Sequence, residues 1–441
     1  MMLSELASLF DTPCTHIAEW TGICIDSRCL LPGQVFVAIQ GERFDGHQFI
    51  HDAVKNGASA IICSKAVVDI STPQFVVQDT TQALATLAAH HRRSLDCAII
   101  ALTGSNGKTT VKEMIASILP YPSFSTPGNL NNHIGVPLCV LQLQPEHRYA
   151  VFELGANHLG EIAHTVEVVQ PQVALINNIA PAHIDGFGSM DGIACAKGEI
   201  YEGLTHEGTA VINDDDAYAH FWDPLLADKK TIRFSVMKPT TIYARDVVLN
   251  AQGCAQFILV TPVGEGLIQL TVPGMHNVSN ALAAAACTYA LGIGFSAIQE
   301  GLPRFLGVAG RMTFLKGKEH ACIIDDTYNA NLRSVLMGID VLAARPGVRV
   351  FVFGDMGELG RWSEQHHHEV GLYARSRGID RLMTCGTHSA TAARAFGVGA
   401  QHYESQAMLV DDLRGKLDAN TTILVKGSRS SAMEKIVKEL I

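Results

Sequence analysis

Short, unbroken apolar runs recur through the middle of the chain and alternate with segments of helical periodicity. The run CAIIAL comes first, and YAVFEL, QVALINN and GTAVIN follow it. Strands that are buried on both faces of a parallel sheet have this composition. One helix face is marked by apolar residues at the expected spacing: Val111, Met114, Ile115, Ile118 and Leu119. Strands alternating with helices predict a doubly wound α/β sheet here.

Similar patterns flank this region on both sides. The first part of the chain has short β-rich runs, QVFVAIQG, ASAIICS and PQFVVQD, followed by the helical pattern TTQALATLAAHHRRS. The last part has four apolar strands that end in polar residues, ACIIDDTY, VRVFVFGDM, RLMTCG and TTILVKGS. These patterns predict a small α/β domain over 1–95, a central domain over 96–312 and a Rossmann-like parallel sheet over 313–441. Ligands of open parallel sheets bind at the carboxyl ends of the strands.

Length and composition agree with this division. The chain has 441 residues, 47% hydrophobic and 17% charged, enough for about three domains and unlike the composition of disordered chains. The net charge is −10, which argues against nucleic acid as a partner because nucleic-acid binding requires a basic face. Anionic small ligands are still permitted, since a few cations in one cleft suffice.

The chain shows no feature of secretion or membrane insertion. The first residues include Glu5 and Asp11 and no Lys or Arg, unlike a signal peptide. The longest apolar stretch, 281–294, is shorter than the roughly 20 residues of a membrane span. None of the eleven cysteines forms a C-x-x-C pair, and most lie in apolar runs. We therefore expect buried, reduced thiols in a soluble cytoplasmic protein, rather than a disulfide or zinc framework.

The segment IIALTGSNGKTTVKEM joins a predicted strand to a predicted helix. Gly104 and Gly107 allow a tight turn with backbone N–H groups facing an anion, and the helix supplies its positive end. Lys108 can reach terminal phosphates, and the Thr109 hydroxyl can bind Mg²⁺. Leu102 occupies the first glycine position of the longer phosphate-loop motif, so the loop is the shorter G-x-x-G-K-T. An ordinary glycine turn that opens a helix is the alternative.

Metal-ligand candidates follow other strands of the same sheet. Glu153 ends one predicted strand, His183 follows another, and Lys197 lies in the segment ACAKGEI. Carboxylate and substrate phosphate oxygens suit Mg²⁺, whereas imidazole is a less usual ligand. The same pattern equally permits Glu153 as a helix cap and His183 as an ordinary loop histidine. For Lys197 a surface lysine is the default interpretation.

A run of three histidines, 366–368, lies in a predicted helix. Adjacent helical residues point in different directions and cannot converge on one ion. This pattern predicts a solvated helix face rather than a metal site.

Ten segments in order resemble the Mur ligases: TGSNGKTT, GNLNNHIGVP, ELGANHLGEI, HIDGFGS, AKGEI, MHNVSNALAA, GRM, DDTYNAN, GDMGELG and KGSRSSAME. The N-terminal segment DSRCLLPGQVFVAIQGERFDGHQFIHDAVKNGA is similar to the UDP-binding domain of the family, so that the resemblance covers residues 26–434. The D-N-P-R signature of the member that adds the third amino acid is absent, and GNLNN, YNAN and GDMGELG favour the dipeptide-adding member. The resemblance implies an ATP-dependent amide ligase. It would join D-Ala-D-Ala to UDP-muramyl-tripeptide through an acyl phosphate during peptidoglycan precursor synthesis. Other Mur-type or folylpolyglutamate synthase-like ligases and a phosphate-loop switch are the alternatives.

The same resemblance implies roles for residues of the central region. The ATP phosphates would be held by Gly104, Ser105, Asn106, Gly107, Lys108, Thr109 and Thr110. Asn277 and Asn280 would flank the adenine, and Arg311 and Asp326 would reach the phosphates and ribose. Two Mg²⁺ would be served by Thr109, Glu153, His183 and a carbamylated Lys197. The residues expected to take part in catalysis are Lys108, Glu153, His183 and Lys197.

Substrate-binding residues are implied in all three parts of the chain. Ser27, Arg28, Asp45 and His47 would bind the uridine nucleotide. Asn129 and Asn132 would contact substrate from the GNLNN segment. Loops of the last part would border the dipeptide pocket through Asn329, Asn331, Glu358, Lys426 and Arg429. Leu332 replaces a proline that is usual in the family, which predicts a looser turn. The resemblance also favours a monomer.

Overall fold

The structure is a computed structural model that describes residues 2–12, 18–41, 44–181, 184–250 and 252–441. The strands of the described residues form a four-stranded, a nine-stranded and a six-stranded sheet, here called the first, central and third sheets. Helices pack against each of them, so the predicted α/β class and three-sheet architecture are confirmed. Of the predicted site residues, His183 lies outside the described residues.

The first sheet is parallel throughout, with strand order β1-β2-β3-β4. Its strands are β1 (Ile23–Cys24), β2 (Val35–Val37), β3 (Ala60–Cys63) and β4 (Gln74–Val76). The helices of this part are α1 (Leu3–Leu9), α2 (Ile50–Lys55) and α3 (Thr80–Arg93). The three apolar runs of the sequence form β2, β3 and β4, and the helical pattern forms α3.

Helix α3 begins at an Asp79 cap and attaches the first sheet to the central one. His91 Nε2 bonds to the Leu143 carbonyl at 2.9 Å, and Arg92 Nε donates to the Val169 carbonyl at 3.0 Å. Both side chains are buried. Their polar atoms reach across the junction, which gives the two parts of the chain a fixed contact.

The central sheet has the strand order β13-β12-β11-β10-β9-β8-β5-β7-β6. Its strands are β5 (Ala98–Thr103), β6 (Ser123–Ser125), β7 (Tyr149–Glu153), β8 (Val173–Ile176), β9 (Thr209–Asn213), β10 (Lys230–Ser235), β11 (Ile242–Leu249), β12 (Cys254–Thr261) and β13 (Gly264–Pro273). Its helices are α4 (Lys108–Ile118), α5 (Gly135–Val140), α6 (Glu161–Val169), α7 (Ile184–Phe187), α8 (Met190–Glu202), α9 (His276–Ala290) and α10 (Phe295–Gly301).

Strands β5 to β11 of this sheet pair with one another in parallel. Strands β12 and β13 are added beside β11 through antiparallel pairings. Helix α4 carries its apolar stripe, Val111 to Ile118, against α9 in one buried cluster. The strands β5, β7 and β8 end next to one another, which brings the ends of distant segments to one edge.

The third sheet has the order β14-β15-β19-β16-β17-β18, parallel except for β14. Its strands are β14 (Thr313–Lys316), β15 (Cys322–Asp326), β16 (Val348–Phe353), β17 (Arg381–Cys385), β18 (Ala400–Tyr403) and β19 (Thr421–Lys426). Its helices are α11 (Leu332–Ala343), α12 (Ser363–Ser376), α13 (Ser389–Phe396), α14 (Gln406–Arg414) and α15 (Glu434–Leu440). Four of these strands are the predicted apolar runs.

The prediction for the three histidines is wrong in part. His366 and His367 are buried in α12, and only His368 is exposed. His367 Nε2 accepts from the Met356 N–H at 3.0 Å, while Nδ1 bonds to the Ser363 carbonyl at 2.7 Å. Burial lowers the pKa of His367. A neutral imidazole therefore anchors the GDMGELG loop, and the run is not a solvated face.

The expectation of buried cysteines holds for only five of the ten described ones, Cys24, Cys63, Cys97, Cys139 and Cys287. Cys29 and Cys195 are exposed. Cys195 lies on α8, and a surface helix buries only one stripe, so an apolar neighbour in sequence does not ensure burial. All ten are free thiols. Within the described ranges no helix combines the length and apolar character of a membrane span.

Candidate functional site

A cleft of about 950 Å³ lies between the carboxyl ends of the central and third sheets. Its walls come from the loop between β5 and α4, the ends of β7 and β15, the start of α9 and the loops after β16 and β19. Of the described residues that line it, none comes from the first sheet. The position agrees with the rule that ligands of open α/β sheets bind at strand carboxyl ends.

The loop between β5 and α4 has the geometry of a phosphate cradle. Gly107, the residue before α4, adopts a left-handed conformation with φ of 76°. A Cβ there would lie 2.7 Å from both Asn177 Nδ2 and Asn280 Oδ1, so glycine is required. Lys108 Nζ donates to the Gly104 carbonyl at 2.7 Å and thus lies across the loop. Burial lowers the pKa of Lys108, Arg311 acts in the same direction, and Glu153 opposes them.

A buried hydrogen-bonded cluster adjoins this loop. Thr109 Oγ1 donates to Glu153 Oε2 at 2.7 Å and accepts from Arg311 Nη2 at 2.8 Å. Asn131 Nδ2 donates to Glu153 Oε1 at 2.8 Å. The Arg311 guanidinium also lies over the Tyr328 ring, 4.2 Å from its centroid. The cluster brings together a carboxylate, a hydroxyl and a cation from segments up to about 200 positions apart.

Glu153 therefore does not cap the following helix, which was one of the two interpretations of its position. Glu199 does so instead, because its two carboxylate oxygens accept from the N–H groups of Gly160 and Ala163 at 2.7 and 2.9 Å. These N–H groups lie at the start of α6, where a backbone N–H has no acceptor within the helix. The Glu153 oxygens instead accept from Thr109, at the phosphate loop, and from Asn131.

Lys197 is a buried residue of α8 and not the surface lysine that its sequence also permits. It is 3% exposed, and its Nζ lies 5.9 Å from the centroid of the Phe187 ring. Burial, and to a lesser degree the charge of Lys108, lowers its pKa well below the usual value. The amine is consequently held in a form that loses its proton readily.

A network of asparagine side chains forms the floor beside the loop. Asn280 Nδ2 donates to Asn277 Oδ1 at 3.0 Å, and Asn280 Oδ1 accepts from Asn177 Nδ2 at 3.1 Å. Asn177 Nδ2 also donates to the Asn106 carbonyl at 2.9 Å. The start of α9 is thereby joined to the phosphate loop through the end of β8.

The third sheet contributes a buried ion pair at the ends of two adjacent strands. Lys426 Nζ lies 2.5 Å from Asp326 Oδ2 and donates to the Asn329 carbonyl at 3.0 Å. The Met312 N–H donates to Asp326 Oδ1 at 3.2 Å. These contacts fix the loop that runs from β15 toward α11.

Asn331 ends that loop and begins α11. Its Oδ1 accepts from the Ser334 N–H at 3.0 Å, and Ser334 Oγ accepts from the Asn331 N–H at 3.1 Å, a capping box. Asn331 Nδ2 donates to Asn106 Oδ1 of the phosphate loop at 2.7 Å. Leu332 occupies the first helical position, where a backbone N–H has no partner within the helix. The capping box holds this turn without the proline.

Most of the predicted site residues meet in the cleft. Those that line it are Ser105, Asn106, Gly107, Lys108, Thr110, Asn132, Glu153, Asn277, Asn280, Arg311, Asp326, Asn329, Asn331, Glu358, Lys426 and Arg429. Gly104 and Thr109 take part through their bonds to Lys108 and Glu153. Asn129 is exposed, and Asn132 Oδ1 accepts from the Gly135 N–H at 2.8 Å at the start of α5.

The predicted uridine-binding residues lie in segments that connect the strands of the first sheet, outside the cleft. The Arg28 guanidinium pairs with Asp26 at 2.6 Å, and the Ser27 carbonyl accepts from Asn56 Nδ2 at 2.8 Å. His47 Nδ1 bonds to Asp45 Oδ1 at 2.6 Å, and its Nε2 accepts from the Ser64 N–H at 2.9 Å. These contacts order two loops at the edge of the first sheet.

Sequence reasoning missed four residues of the site: Asn131, Asn177, Glu199 and His276. Asn131 and Asn177 carried a usable signal, because each lies in an asparagine-rich segment, and Asn177 follows a predicted strand directly. Glu199 lies two positions after Lys197 in a motif already noted. His276 is the residue before Asn277 and lines the cleft. His183, predicted as a metal ligand, lies outside the described residues.

His276 predicts a measurable pH dependence. Burial, assisted by the charges of Lys426 and Arg333, lowers the pKa of His276 to about 4. Between about pH 6.5 and pH 4 the unfolded chain therefore binds a proton that the folded chain does not, and stability falls as pH falls. We expect His276 to cost about 1 kcal/mol at pH 5.5 relative to pH 7.5. His276→Asn should remove most of this pH-dependent loss, measured as hydrogen-exchange protection of the α9 amides; equal losses in both proteins would contradict the assignment.

Comparison with known proteins agrees with this architecture. The chain matches the Mur ligase family catalytic domain over residues 19–92, the Mur ligase middle domain over 102–288 and the Mur ligase glutamate ligase domain over 310–429. It is 44% identical over 423 residues to the UDP-N-acetylmuramoyl-tripeptide–D-alanyl-D-alanine ligase of Escherichia coli (strain K12), covering 95% of this chain and 93% of that protein.

Two solved structures extend the comparison to the fold. The crystal structure of MurF from Acinetobacter baumannii superposes with a TM-score of 0.93 at 37% identity and covers 100% of this chain and 98% of that one. MurF ligase from Thermotoga maritima, in complex with ADP, has a TM-score of 0.83 at 27% identity, covering 95% and 96%. Since sequence, domain order and fold agree over almost the whole length, the chain belongs to the Mur ligase family.

Proposed function

We propose that this protein is an ATP-dependent ligase that joins D-Ala-D-Ala to UDP-N-acetylmuramoyl-tripeptide and releases ADP and phosphate. The observation that carries the proposal is the buried cluster of Thr109, Glu153 and Arg311 beside Lys108, in a cleft shared by two strand edges. The relatives that match along nearly the whole chain are named as ligases of these two substrates. The product belongs to peptidoglycan precursor synthesis, a cytoplasmic process.

ATP is the nucleotide of this proposal. The backbone N–H groups from Ser105 to Thr110 and the start of α4 would hold its phosphates, and Lys108 would contact the terminal one. Asn277 and Asn280 would flank the adenine, and Arg311 and Asp326 would reach phosphate and ribose. All four line the same cleft as the phosphate loop. The Thermotoga maritima relative was solved with ADP, which supports an adenine nucleotide as a ligand of this chain.

The donor atoms at the loop suit Mg²⁺. The described residues contain no group of three His, Cys, Asp or Glu side chains placed around one point, but Mg²⁺ commonly uses one or two carboxylates plus substrate phosphates. Glu153 and the Thr109 hydroxyl would supply the protein oxygens, with His183 and Lys197 at a second ion. Bound Mg²⁺ would neutralise phosphate charge at the transferred group.

Lys197 suits carbamylation, in which its neutral amine adds to CO₂ and becomes an anionic oxygen ligand. Burial at 3% exposure and a strongly lowered pKa favour that neutral amine. We expect protein equilibrated with ¹³CO₂ to give a carbamate ¹³C NMR signal that Lys197→Ala lacks. The exposed Lys438→Ala is the control and should retain the signal. A signal unchanged in Lys197→Ala would contradict this assignment.

The first step proposed is attack of the tripeptide carboxylate on the γ-phosphorus of ATP, which forms an acyl phosphate. Two like charges about 4 Å apart repel by roughly 4 kcal/mol at an effective dielectric constant of 20. A carboxylate approaching a triphosphate faces several such pairs. Two cationic side chains lie beside the loop. Lys108 Nζ is 2.7 Å from the Gly104 carbonyl oxygen, and Arg311 Nη2 is 2.8 Å from the Thr109 hydroxyl. Fixed charges of this kind stabilise the transferred phosphoryl group.

The second step is attack of the dipeptide amine on the acyl phosphate carbonyl, with loss of phosphate. The third-sheet loops would present the dipeptide through Asn329, Asn331, Glu358, Lys426 and Arg429, all at the cleft. The first sheet would hold the uridine end through Ser27, Arg28, Asp45 and His47, with Asn129 and Asn132 contacting the substrate between. This division places the three substrates on the three proposed domains, 1–95, 96–312 and 313–441.

The decisive assay is phosphate release with UDP-muramyl-tripeptide, with and without D-Ala-D-Ala. We expect sustained release and equal amide formation only when ATP and both substrates are present. Release that ignores both substrates would remove the ligase assignment and favour a nucleotide switch. Release that requires an amino acid or a folate in place of the dipeptide would favour another ligase of the same fold.

A further inference from the structure

Among the described residues, two hydrogen bonds join the phosphate loop to residues just before the third sheet or within its chain, Arg311 and Asn331. One links Arg311 to Thr109 beside Glu153. The other links Asn331 Nδ2 to Asn106 Oδ1 at 2.7 Å, between residues 225 positions apart. The second bond involves neither a charge nor the carboxylate cluster, so the electrostatics of phosphoryl transfer do not account for it.

Asn106 is held firmly on the central sheet. Its N–H donates to Asn178 Oδ1 at 2.9 Å. Its carbonyl accepts from Asn177 Nδ2 at 2.9 Å and from Asn178 Nδ2 at 3.0 Å. Its side chain extends from this fixed backbone to the third sheet.

Asn331 is held just as firmly on the third sheet. Its Oδ1 and its N–H are both used in the capping box with Ser334 at the start of α11, a helix that packs on β16 and β19. Asn331 Oδ1 faces the start of α11, so Asn331 Nδ2 faces Asn106. The cap thus makes Asn331 the donor and Asn106 Oδ1 the acceptor of the bond between them. Two rigid elements are thus connected by one donor and one acceptor.

The Asn331–Asn106 bond lies at one end of the loop between β15 and α11. The Lys426 ammonium holds the other end of this loop. Lys426 bonds to Asp326 and to the Asn329 carbonyl, and Asn331 follows two residues later. The loop 327–331 is therefore tied at one end to the third sheet and at the other to the phosphate loop. Its position therefore depends on contacts to both sides of the cleft.

We propose that Asn106 and Asn331 act together as a positioning pair, which aligns the amine-presenting loop of the third sheet with the acyl phosphate at the phosphate loop. The inference rests on the proposed function, because only a two-step ligase needs this alignment. Reacting atoms must approach within about 3–3.5 Å, and small misplacements slow such steps strongly. Loss of the pair should slow amine capture, so that water competes for the acyl phosphate.

The test uses Asn106→Ala, Asn331→Ser and the double variant. Serine caps helices as well as asparagine does but lacks the Nδ2 donor. Asn331→Asp is a second variant that keeps the cap and removes the same donor. The control is Ser405→Asn, which exchanges the same two cap residues at the start of α14 away from the cleft.

Each single variant should raise KM for D-Ala-D-Ala about threefold to tenfold, the effect of one neutral hydrogen bond. The ratio of phosphate released to amide formed should rise above one. The double variant should be no worse than the poorer single variant, because both remove one interaction. Ser405→Asn should match the wild type in each of these quantities.

Additive effects of the two substitutions would overturn the pair, and so would a phosphate-to-amide ratio that stays at one. In each of these cases the wild type still makes amide, and the proposed function stands. A wild-type protein that forms no amide from these substrates would overturn the function and the positioning pair together. A purely structural role would lower Tm without moving the ratio of phosphate to amide, and that result also contradicts the proposal.

Discussion

Lys108→Met should lower kcat for amide formation by about a thousandfold, the upper range for loss of one preorganised charged donor. The Lys108 ammonium lies across the phosphate loop, bonded to the Gly104 carbonyl at 2.7 Å. In the proposed mechanism this ammonium offsets charge on the group in transfer, and methionine preserves the length of the side chain without that charge. The fold should be unaffected, since burial already opposes the charged form of Lys108 and lowers its pKa.

The rate of D-Ala-D-Ala-dependent amide formation at saturating substrates measures this effect. Lys438→Met, which removes an exposed lysine on α15, is the matched control and should keep the wild-type rate. A decrease of less than tenfold in Lys108→Met would show that this ammonium does not stabilise the transferred phosphoryl group.

Lys426→Met should destabilise the third sheet by about 3–5 kcal/mol, the usual cost of leaving one member of a buried ion pair alone. Lys426 is 2% exposed and Asp326 is 8% exposed. Their 2.5 Å contact joins the ends of the adjacent strands β15 and β19. Methionine would leave the Asp326 carboxylate buried without its partner and would release the Asn329 carbonyl as well.

Hydrogen exchange of the β15 and β19 amides measures this loss locally, because a chain of several domains does not unfold as one unit. The double variant Asp326→Asn/Lys426→Met removes both charges and should recover most of the lost protection. The amides of β6 and β7 in the central sheet serve as an internal reference. Unchanged protection in Lys426→Met would contradict the structural importance of this pair.

The strands that end at the cleft could be predicted, because parallel strands buried on both faces consist of unbroken apolar runs. CAIIAL, YAVFEL and TTILVKGS each form a strand that ends at the cleft. The strands β11 to β13 were missed. Neither β11 nor β13 contains an apolar run as long as those of β5 and β7, and the short run FILV of β12 was not recognised as a strand. The short edge strands β14 and β18 were missed as well.

The site could be predicted as a set of residues but not as a set of contacts. The phosphate loop and Glu153 follow from local pattern, because each ends a strand of one sheet. The sequence does not show which strand ends are neighbours, so the Asn331–Asn106 contact across 225 positions was beyond its reach. Burial of a charged residue is equally non-local. Lys197 looks like a surface lysine in sequence, and only packing around α8 shows that its amine is shielded from water.

The most direct measurement is the fate of the tripeptide's carboxylate oxygens. UDP-muramyl-tripeptide labelled with ¹⁸O in that carboxylate would be converted with ATP and D-Ala-D-Ala, and the released phosphate analysed by mass spectrometry. Attack of the carboxylate on the γ-phosphorus predicts one ¹⁸O in each phosphate released. Amide product accompanied by unlabelled phosphate would contradict the acyl phosphate, and with it the role given to the cations around Lys108.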